Sequence, residues 1–320
     1  MRLAIVIVNY RTPHLVIDCL ASLQTEVEIG LDQVVVVDNK SGDNSVEIIE
    51  QAVTENNWGE WVKVCPSPIN GGFSAGNNIG IKAVIADAYL LLNSDTIVRP
   101  GAIASLLEAK SAHPEAGLIS PRLEWPDGTP QISCFRYHSP ISELINSAAT
   151  GPVTKILQFR DVPIPVSDIP FEPEWTSFAC VLIRREVIEQ IGVMDEGYFM
   201  YYDDVDYCRQ VRNAGWKILH WPHARVVHLR GGSGSVKSDV AARKRPPSYL
   251  YASRSRYFRK FYGLPGLGIA NLFWLTGRAV SLGRELVGNK KLHICENASH
   301  DIWMNWQDPL KAPTLPGKNN

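Results

Sequence analysis

The 320-residue sequence lacks the features of several large protein classes. Its six cysteines form no CxxC pair, which argues against a zinc site or a disulfide framework and indicates reduced thiols. The formal net charge is −1, so no positive excess indicates nucleic-acid binding. No apolar run approaches the roughly 20 residues of a membrane-spanning helix, and the first run, Leu3 to Val8, is too short for a secretory signal. We expect a cytoplasmic protein, with peripheral contact at the inner face of the cell membrane left open.

Two common phosphate-binding motifs are also missing. No GxxxxGK[ST] loop occurs, and "NYRTP" rather than a glycine-rich turn follows the first apolar run. These absences argue against a nicotinamide-dependent dehydrogenase and against a nucleotidyltransferase. A glycine-rich segment does occur at Asn70–Gly80 ("NGGFSAGNNIG"), but it does not match GxGxxG. It is either a flexible turn or a close backbone approach to a nucleotide, and the amides of Asn70, Asn77 and Asn78 favour the second interpretation.

The first 120 residues alternate short β-branched runs with helical periodicity. The runs are apolar on both faces, which is typical of parallel strands covered by helices on each side. Thr12, Asn44 and Ser74 are the predicted N-caps of the intervening helices. The pattern predicts an α/β protein with a doubly wound, mostly parallel sheet. The four predicted strands are Leu3–Val8, Val34–Val37, Val62–Val64 and Tyr89–Leu92.

The second part of the sequence has a weaker pattern. Prolines are dense between about residues 120 and 180, and we expect an irregular, partly extended insertion near an acceptor site. Helices closed by Gly192 and Gly215 follow. Short strands are then predicted at Lys217–Leu219 and Arg225–Val227.

Polar residues end three of the four predicted strands. In open α/β sheets, ligands bind at the carboxyl ends of strands, beside the point where the strand order reverses. A single Asn or Asp in such a place is often only a turn or cap residue. Three strand ends with the same character favour a ligand cleft. The residues concerned are Asn9 and Tyr10, Asp38 and Asn39, and Asn93, Ser94, Asp95 and Thr96.

Acidic residues gather at the predicted start of a late helix. Asp203, Asp204 and Asp206 suit the helix macrodipole there. At 100° per residue, Asp203 and Asp206 share a face and Asp204 points elsewhere, so the three cannot all do the same job. One carboxylate could be a general base, while another holds an Arg or caps the helix. His228 ends a strand, where a lone histidine is usually structural, but with Asp95 it would suit Mn²⁺ or Mg²⁺ if the fold joins them.

Six segments, taken in order, resemble the inverting GT-A glycosyltransferases of glycosyltransferase family two. They are "VIVNYRTP", "VVVDNKSGD", "NGGFSAGNNIG", "LLNSDT", "MDEGYFMYYDDVDYCRQVRNAGWKI" and "ARVVHLRGGS". The similarity is greatest to the rhamnosyltransferase-like branch. It implies a GT-A catalytic domain over residues 1–235, with a nucleotide-binding half (1–120) and an acceptor-binding half (120–235). A basic, amphipathic, helical C-terminal extension would occupy residues 236–320.

The resemblance also implies roles for individual residues. Asp95 would hold a divalent cation, Mg²⁺ or Mn²⁺, on the donor diphosphate, and His228 would reach that metal. Asp204 would be the catalytic base, beside Asp203. The nucleotide pocket would be lined by Asn9, Tyr10, Asp38, Asn39, Gly72, Phe73, Asn77, Asn93 and Ser94.

The implied function is sugar transfer with inversion. The donor would be a nucleoside-diphosphate sugar, with rhamnose implied by the branch, and the acceptor a hydroxyl of a glycan or lipid-linked glycan in cell-surface polysaccharide synthesis. Asn93 stands where the family's DxD motif begins, which leaves one carboxylate for the metal. Because of that departure, a second interpretation stays open, in which the protein binds a nucleotide sugar or a carbohydrate without catalysis. The presence of the expected base, Asp204, argues against this alternative. Phe178 stands where the family often has Gly, and we expect it to crowd the acceptor site.

A basic segment opens the C-terminal extension. It is either a solvated face or a surface for anionic lipid, and the following amphipathic stretch with Phe273 and Trp274 supports membrane contact through residues 237–288. The basic segment runs from Lys237 to Lys260, and Asp239 is its only acidic residue. Its eight basic residues are Lys237, Arg243, Lys244, Arg245, Arg254, Arg256, Arg259 and Lys260.

Overall fold

The computed structural model describes residues 2–231, 240–288 and 291–312. Its strands are β1 Leu3–Asn9, β2 Asp32–Asp38, β3 Val62–Pro66, β4 Ala88–Asn93, β5 Thr96–Val98, β6 Ala116–Glu124, β7 Cys134–Phe135, β8 Trp175–Thr176, β9 Cys180–Arg184 and β10 Lys217–His228. Its helices are α1 Pro13–Leu23, α2 Ser45–Glu55, α3 Gly72–Lys82, α4 Ala102–Ala112, α5 Pro140–Ala148, α6 Gly151–Ile156, α7 Arg185–Ile191, α8 Asp203–Asn213, α9 Ser248–Leu286 and α10 Ala298–Asp301.

Eight of the strands form one sheet in the order β3-β2-β1-β4-β9-β6-β10-β5. β9 and β5 run antiparallel to their neighbours and the other pairings are parallel, so the mostly parallel, doubly wound sheet is confirmed. One core packs α1, α2 and α4 against one face of the sheet. A second core packs α3, α7, α8 and the first part of α9 against the other face. The β-branched strands are apolar on both sides because both faces are covered.

All four strands predicted in the first 120 residues are present, each extended by one or two residues at an end. Thr12 and Asn44 occupy the N-cap positions of α1 and α2 as predicted, but neither side chain makes a capping hydrogen bond. Ser74 lies inside α3, which begins at Gly72. The two short strands predicted near residues 217 and 225 are one strand, β10. Its register shifts between Trp221 and Arg225, where Pro222 has no N–H to donate.

The region expected to be irregular contains two helices. Ser139 caps α5 by accepting from the backbone N–H of Ser142, and the Ser142 hydroxyl accepts from the backbone N–H of Ser139. α5 packs along α9. Between them lies a buried ion pair, with a nitrogen of Arg254 2.8 Å from Glu143 Oε2. Arg254 also donates to Asn271 Oδ1 at 2.7 Å.

α9 is interrupted at Gly263, whose φ is +70°, shortly before Pro265. Its first part carries four of the eight basic residues, of which Arg259 is exposed, as are Arg243, Lys244 and Arg245 before the helix, and these fit the solvated interpretation. That interpretation is wrong for Arg254, and contact with lipid stays a prediction. Arg254 is buried, while Arg256 and Lys260 bind acidic residues of the protein. Lys237 and the predicted boundary at residues 235/236 lie outside the described residues. In the part of the chain that the structure describes, none of the helices has the length and apolarity needed to cross a bilayer.

Candidate active site at the carboxyl edge of the sheet

The polar strand ends singled out in the sequence meet at one edge of the sheet. Asn9 is paired in register with Asp38, and Val8 with Asn93. The strand order reverses between β1 and β4, as expected of a ligand-binding crevice. His228 ends β10 at the same edge, paired with Thr96. The sheet therefore brings together residues from four separate parts of the chain, in what we call the carboxyl edge.

One wall of the crevice is a buried network around Asp38. Asn9 Nδ2 donates to Asp38 Oδ1 at 2.8 Å, and the backbone N–H of Ser41 donates to Asp38 Oδ2 at 3.0 Å. The Ser41 hydroxyl donates to the same carboxylate. Asn9 Oδ1 in turn accepts from the N–H and hydroxyl of Thr12, each at 3.2 Å, which explains why Thr12 does not cap α1. Ser41 was not identified from the sequence, because it lies in a loop with no local pattern.

A second wall joins β2 to the start of α3. Asn39 Nδ2 donates to the carbonyl of Gly72 at 2.9 Å and to Asn70 Oδ1 at 3.1 Å. Gly72 has a φ of +85°, and a Cβ on it would lie 1.9 Å from the carbonyl oxygen of Phe199. That carbonyl accepts from the N–H of Phe73 at 2.8 Å. Gly72 therefore allows α3 to begin directly against the loop that leads to α8.

Two other glycines of the segment lie against β1. A Cβ on Gly76 would lie 2.8 Å from a methyl group of Val8, and one on Gly80 2.3 Å from Val6, so both allow α3 to pack on β1. The amide donors are also used within the protein. Asn77 Nδ2 binds the carbonyl of Phe73 at 2.9 Å, and Asn78 Nδ2 binds the carbonyl of Met194 at 2.8 Å. Packing within the protein therefore accounts for these glycines and amide groups, and a nucleotide approach at this segment stays a prediction.

Asp95 and His228 are adjacent, as their proposed shared role requires. Asp95 Oδ1 lies 3.4 Å from His228 Nε2, and both side chains are buried. The backbone N–H of Leu229 donates to the Asp95 carbonyl at 2.9 Å, which joins the two segments. Ser94 Oγ lies 3.4 Å from Thr12 Oγ1. The fold therefore makes an oxygen-and-imidazole pair from residues that are far apart in sequence.

Asn93 and Tyr10 are less enclosed. Asn93 is partly exposed, and its backbone N–H donates to the carbonyl of Ala179 at 2.9 Å. Tyr10 is 36% exposed, with the guanidinium of Arg11 5.2 Å from its ring centroid. Both side chains therefore remain accessible at the carboxyl edge.

The donor set suits a divalent cation that takes most of its ligands from elsewhere. Within the described ranges, no group of three or more His, Cys, Asp or Glu side chains could hold a metal. Mg²⁺ sites often use one or two carboxylates together with substrate phosphates and waters. Imidazole and carboxylate together also suit transition-metal ions. Asp95 and His228 thus fit a cation that binds with an anionic substrate.

Asp203 and Asp204, here called the acidic pair, begin α8 after a strained turn. Tyr201 and Tyr202 precede them with φ values of +67° and +63°, which are uncommon for residues with a side chain. Ser74 Oγ donates to Asp203 Oδ2 at 3.4 Å, which links the acidic pair to α3. Burial raises the pKa of Asp204 to about 8, with a further rise from the charge of Asp203. Burial likewise raises the pKa of Asp203 to about 6.

The third acid of the trio has a different role. Tyr198 donates its hydroxyl to Asp206 Oδ1 at 2.9 Å, and Lys260 Nζ lies 2.8 Å from the same oxygen. Burial raises the pKa of Asp206, and Lys260 opposes the rise. Asp206 therefore binds a cation of α9, which is a Lys where the sequence suggested an Arg, and the roles of Asp203 and Asp204 stay predictions.

Phe178 does not crowd the crevice as expected. Its side chain is 2% exposed and belongs to the second core, with its ring centroid 6.1 Å from that of Tyr207. The expectation is wrong because the residue just before β9 turns its ring into the protein.

Sequence comparisons identify the family. The model for "Glycosyl transferase family 2" matches residues 4–157, and that for "Glycosyltransferase like family 2" matches residues 170–263. An N-acetylglucosaminyl-diphospho-decaprenol L-rhamnosyltransferase of Mycobacterium tuberculosis is 30% identical over 266 residues, which cover 78% of this chain and 83% of the relative. The chain belongs to glycosyl transferase family 2. The low-salt glycan biosynthesis hexosyltransferase Agl10 of Haloferax volcanii is 26% identical over 232 residues. The matched region covers 71% of this chain and 66% of Agl10.

Solved structures support the GT-A fold of this family 2 glycosyltransferase. The mannosyltransferase PcManGT from Pyrobaculum calidifontis, in complex with GDP-Man and Mn²⁺, superposes with a TM-score of 0.58 at 14% identity, covering 91% of this chain and 76% of that one. TarS 1-349 of S. aureus superposes with a TM-score of 0.53 at 14% identity. The superposition covers 97% of this chain and 80% of the TarS chain. At these identities the likeness concerns the fold alone.

Proposed function

We propose that this glycosyltransferase moves rhamnose, with inversion, from a nucleoside-diphosphate sugar to a hydroxyl of a lipid-linked glycan in cell-surface polysaccharide synthesis. The similarity to the M. tuberculosis rhamnosyltransferase supports the sugar and the kind of acceptor. The observation that carries the mechanism is the acidic pair at the start of α8, in which Asp203 is buried and joined to α3 by Ser74 while Asp204 is partly exposed. α3 in turn contacts the network of β2 through Asn39.

Asp204 acts as the general base in this proposal. The acceptor oxygen bonds to the anomeric carbon, and its proton passes to the Asp204 carboxylate. The bond from that carbon to the diphosphate oxygen breaks, and its electron pair leaves with the nucleoside diphosphate. A single displacement of this kind inverts the configuration. A base with a pKa near the operating pH is effective, and such a base typically contributes about 10²–10⁴-fold in rate.

The carboxyl edge holds the donor. Asn9 and Asp38 shape the pocket for the nucleoside, with Tyr10, Asn39, Gly72, Phe73, Asn77, Asn93 and Ser94 around it. Asp95 and His228 would hold Mg²⁺ or Mn²⁺. Such a cation, when bound, offsets charge on the departing diphosphate. The Mn²⁺ in the complex of the Pyrobaculum mannosyltransferase supports a divalent cation for this fold.

The decisive experiment compares Asp204→Asn with Asp18→Asn, an exposed aspartate on α1. We expect Asp204→Asn to lose about 10²–10⁴-fold in transfer rate, while calorimetry shows unchanged binding of the nucleoside diphosphate. Asp18→Asn should retain both. Turnover of Asp204→Asn at the wild-type rate would refute the base assignment.

The donor can be identified without an acceptor. A thermal-shift panel of nucleoside diphosphates and their sugars, with and without Mn²⁺, should show stabilisation by one nucleotide. A ligand at 100 times its dissociation constant adds about 2.7 kcal/mol. A flat panel would contradict nucleotide-sugar binding.

We also propose peripheral membrane contact, through the second part of α9. Ile269, Leu272, Val280 and Val287 are 45%, 57%, 41% and 75% exposed and lie near one another around the helix axis. A lipid-linked acceptor would place the reaction at a membrane surface. The six free cysteines are consistent with the reducing, cytoplasmic side.

Vesicle flotation tests the membrane contact. We expect the wild-type protein to float with vesicles containing anionic lipid, and Ile269→Glu with Val280→Glu to abolish flotation. Ile85→Glu is the control, since Ile85 is 74% exposed but lies outside α9. Equal flotation of the double variant and the control would contradict the assignment.

A further inference from the structure

Four charged residues form an alternating chain between α9 and the segment that leads into α8. Arg256 donates to Asp195 from Nε and Nη2, at 3.0–3.1 Å. Lys260 Nζ lies 3.2 Å from Asp195 Oδ2 and 2.8 Å from Asp206 Oδ1. The order Arg256, Asp195, Lys260, Asp206 therefore alternates in sign and sums to zero. All four groups are at most partly exposed, so solvent screens them less than it screens surface pairs.

The same contacts fix the segment 195–202 along its length. The N–H of Gly197 donates to Asp195 Oδ1 at 2.8 Å, and a Cβ on Gly197 would lie 2.0 Å from the guanidinium of Arg256. Ser253 donates to the carbonyl of Met200 at 3.0 Å. Side chains of α9 thus bind the segment at Asp195 and at Met200, and Arg256 packs against Gly197 between them. The segment leads directly into the two left-handed tyrosines and the acidic pair.

We propose that Lys260 is a positioning residue for the acidic pair, because it neutralises Asp206 one helical turn from Asp203. This inference deepens the proposed function and rests on it for its catalytic meaning. Without Lys260, the buried charge of Asp206 would act on Asp203 unopposed, and like charges disfavour ionisation. Asp206 already adds to the raised pKa of Asp203.

Three further titratable groups among the described residues interact with the acidic pair. Tyr201 and Tyr202 interact with Asp203 and Asp204 respectively from the preceding turn, and Cys208 interacts with Asp204 from α8. Burial raises the pKa of each of these groups above its ordinary value, so they are neutral near pH 7. Lys260 is accordingly the group whose removal changes the charge beside Asp203 most directly.

The test measures ionisation of the acidic pair itself. Carboxyl carbons of aspartate are labelled with ¹³C, the two signals are assigned with Asp203→Asn and Asp204→Asn, and their chemical shifts are followed against pH. In Lys260→Met we expect the pair to ionise about one pH unit higher than in the wild type. Lys260→Arg should restore the wild-type titration. Arg259→Met, an exposed neighbour on α9, should leave it unchanged.

A double variant separates charge from folding. Lys260→Met with Asp206→Asn removes both charges, and the titration should return towards the wild-type value even if thermal unfolding shows a lost contact. An unmoved titration in Lys260→Met, or one that the double variant fails to restore, would overturn the inference. The pH profile of transfer, measured on the same variants, should follow the titration. If Asp204→Asn retains turnover, the proposed base is wrong, whereas the titration still decides the role of Lys260.

Discussion

His228 Nε2 lies 3.4 Å from Asp95 Oδ1 at the carboxyl edge, although the residues come from β10 and from the turn after β4. If the two hold a cation together with the donor, Asp95→Asn should abolish the extra stabilisation that Mn²⁺ gives to a nucleotide complex. His228→Ala should weaken it. Thermal shift measures both, with Asp18→Asn as the control. Unchanged Mn²⁺-dependent stabilisation in Asp95→Asn would place the metal elsewhere.

The acidic pair predicts a pH dependence with a defined sign. Because the pKa of Asp204 is raised to about 8, its base form increases as pH rises, so kcat/KM for the acceptor should increase up to about pH 8. An initial-rate series across pH 5–9 checks this. A rate that falls over the same range would require a different ionisation to control the reaction.

The same raised pKa predicts an opposite trend in stability. Between an ordinary aspartate pKa near 3.9 and about 8, the folded state binds more protons than the unfolded state, so unfolding becomes easier as pH rises. Asp204→Asn removes this loss and should raise Tm relative to the wild type, by an amount that grows from pH 5 to pH 8. Calorimetry at these two values measures it. A constant difference would indicate that Asp204 titrates normally.

Gly72→Ala should destabilise the protein by at least about 2 kcal/mol. The residue has a left-handed φ, and the new Cβ would overlap the Phe199 carbonyl. Gly59→Ala is the matched control, because nothing lies within 4 Å of its Cβ and its φ is not left-handed. Urea unfolding compares the two. Equal stabilities would show that α3 can begin without this close approach.

The ion pair between α5 and α9 predicts an asymmetric cost. Glu143→Gln leaves the Arg254 charge buried without its carboxylate, and removal of one partner of a buried pair costs about 3–5 kcal/mol. Arg185→Ala removes the exposed pair with Glu189, so it should cost less than about 1 kcal/mol. Urea midpoints measure both. A small effect of Glu143→Gln would mean that water reaches Arg254.

The sequence was most informative where burial on two faces leaves a continuous apolar run. β1, β2 and β4 were recognised in this way, and their polar ends indicated the crevice because parallel strands end at the same edge. The candidate site residues there are those whose polar side chains end an apolar strand pattern. Asn9, Asp38 and Asp95 are examples.

Features set by distant contacts could not be predicted. β9 ("CVLIR") looks like any short apolar segment, and only pairing with β4 and β6 makes it a central antiparallel strand. The role of Lys260 depends on Asp195 and Asp206, which its neighbours in sequence do not reveal. The glycines of α3 indicate that another group lies close to the helix backbone. The sequence does not reveal whether that group belongs to the protein or to a ligand.

The position of β9 has a consequence for the order of folding during synthesis. β4 and β6 are not neighbours in the sheet, because β9 lies between them. Until residues 180–184 leave the ribosome, both strands therefore present unpaired backbone groups, which invite aggregation. A fragment ending near residue 120 would keep the β4 edge open permanently and would cut β6 short. Residues 1–120 are thus unsuited to independent expression, and the carboxyl edge is completed only when β10 has been made.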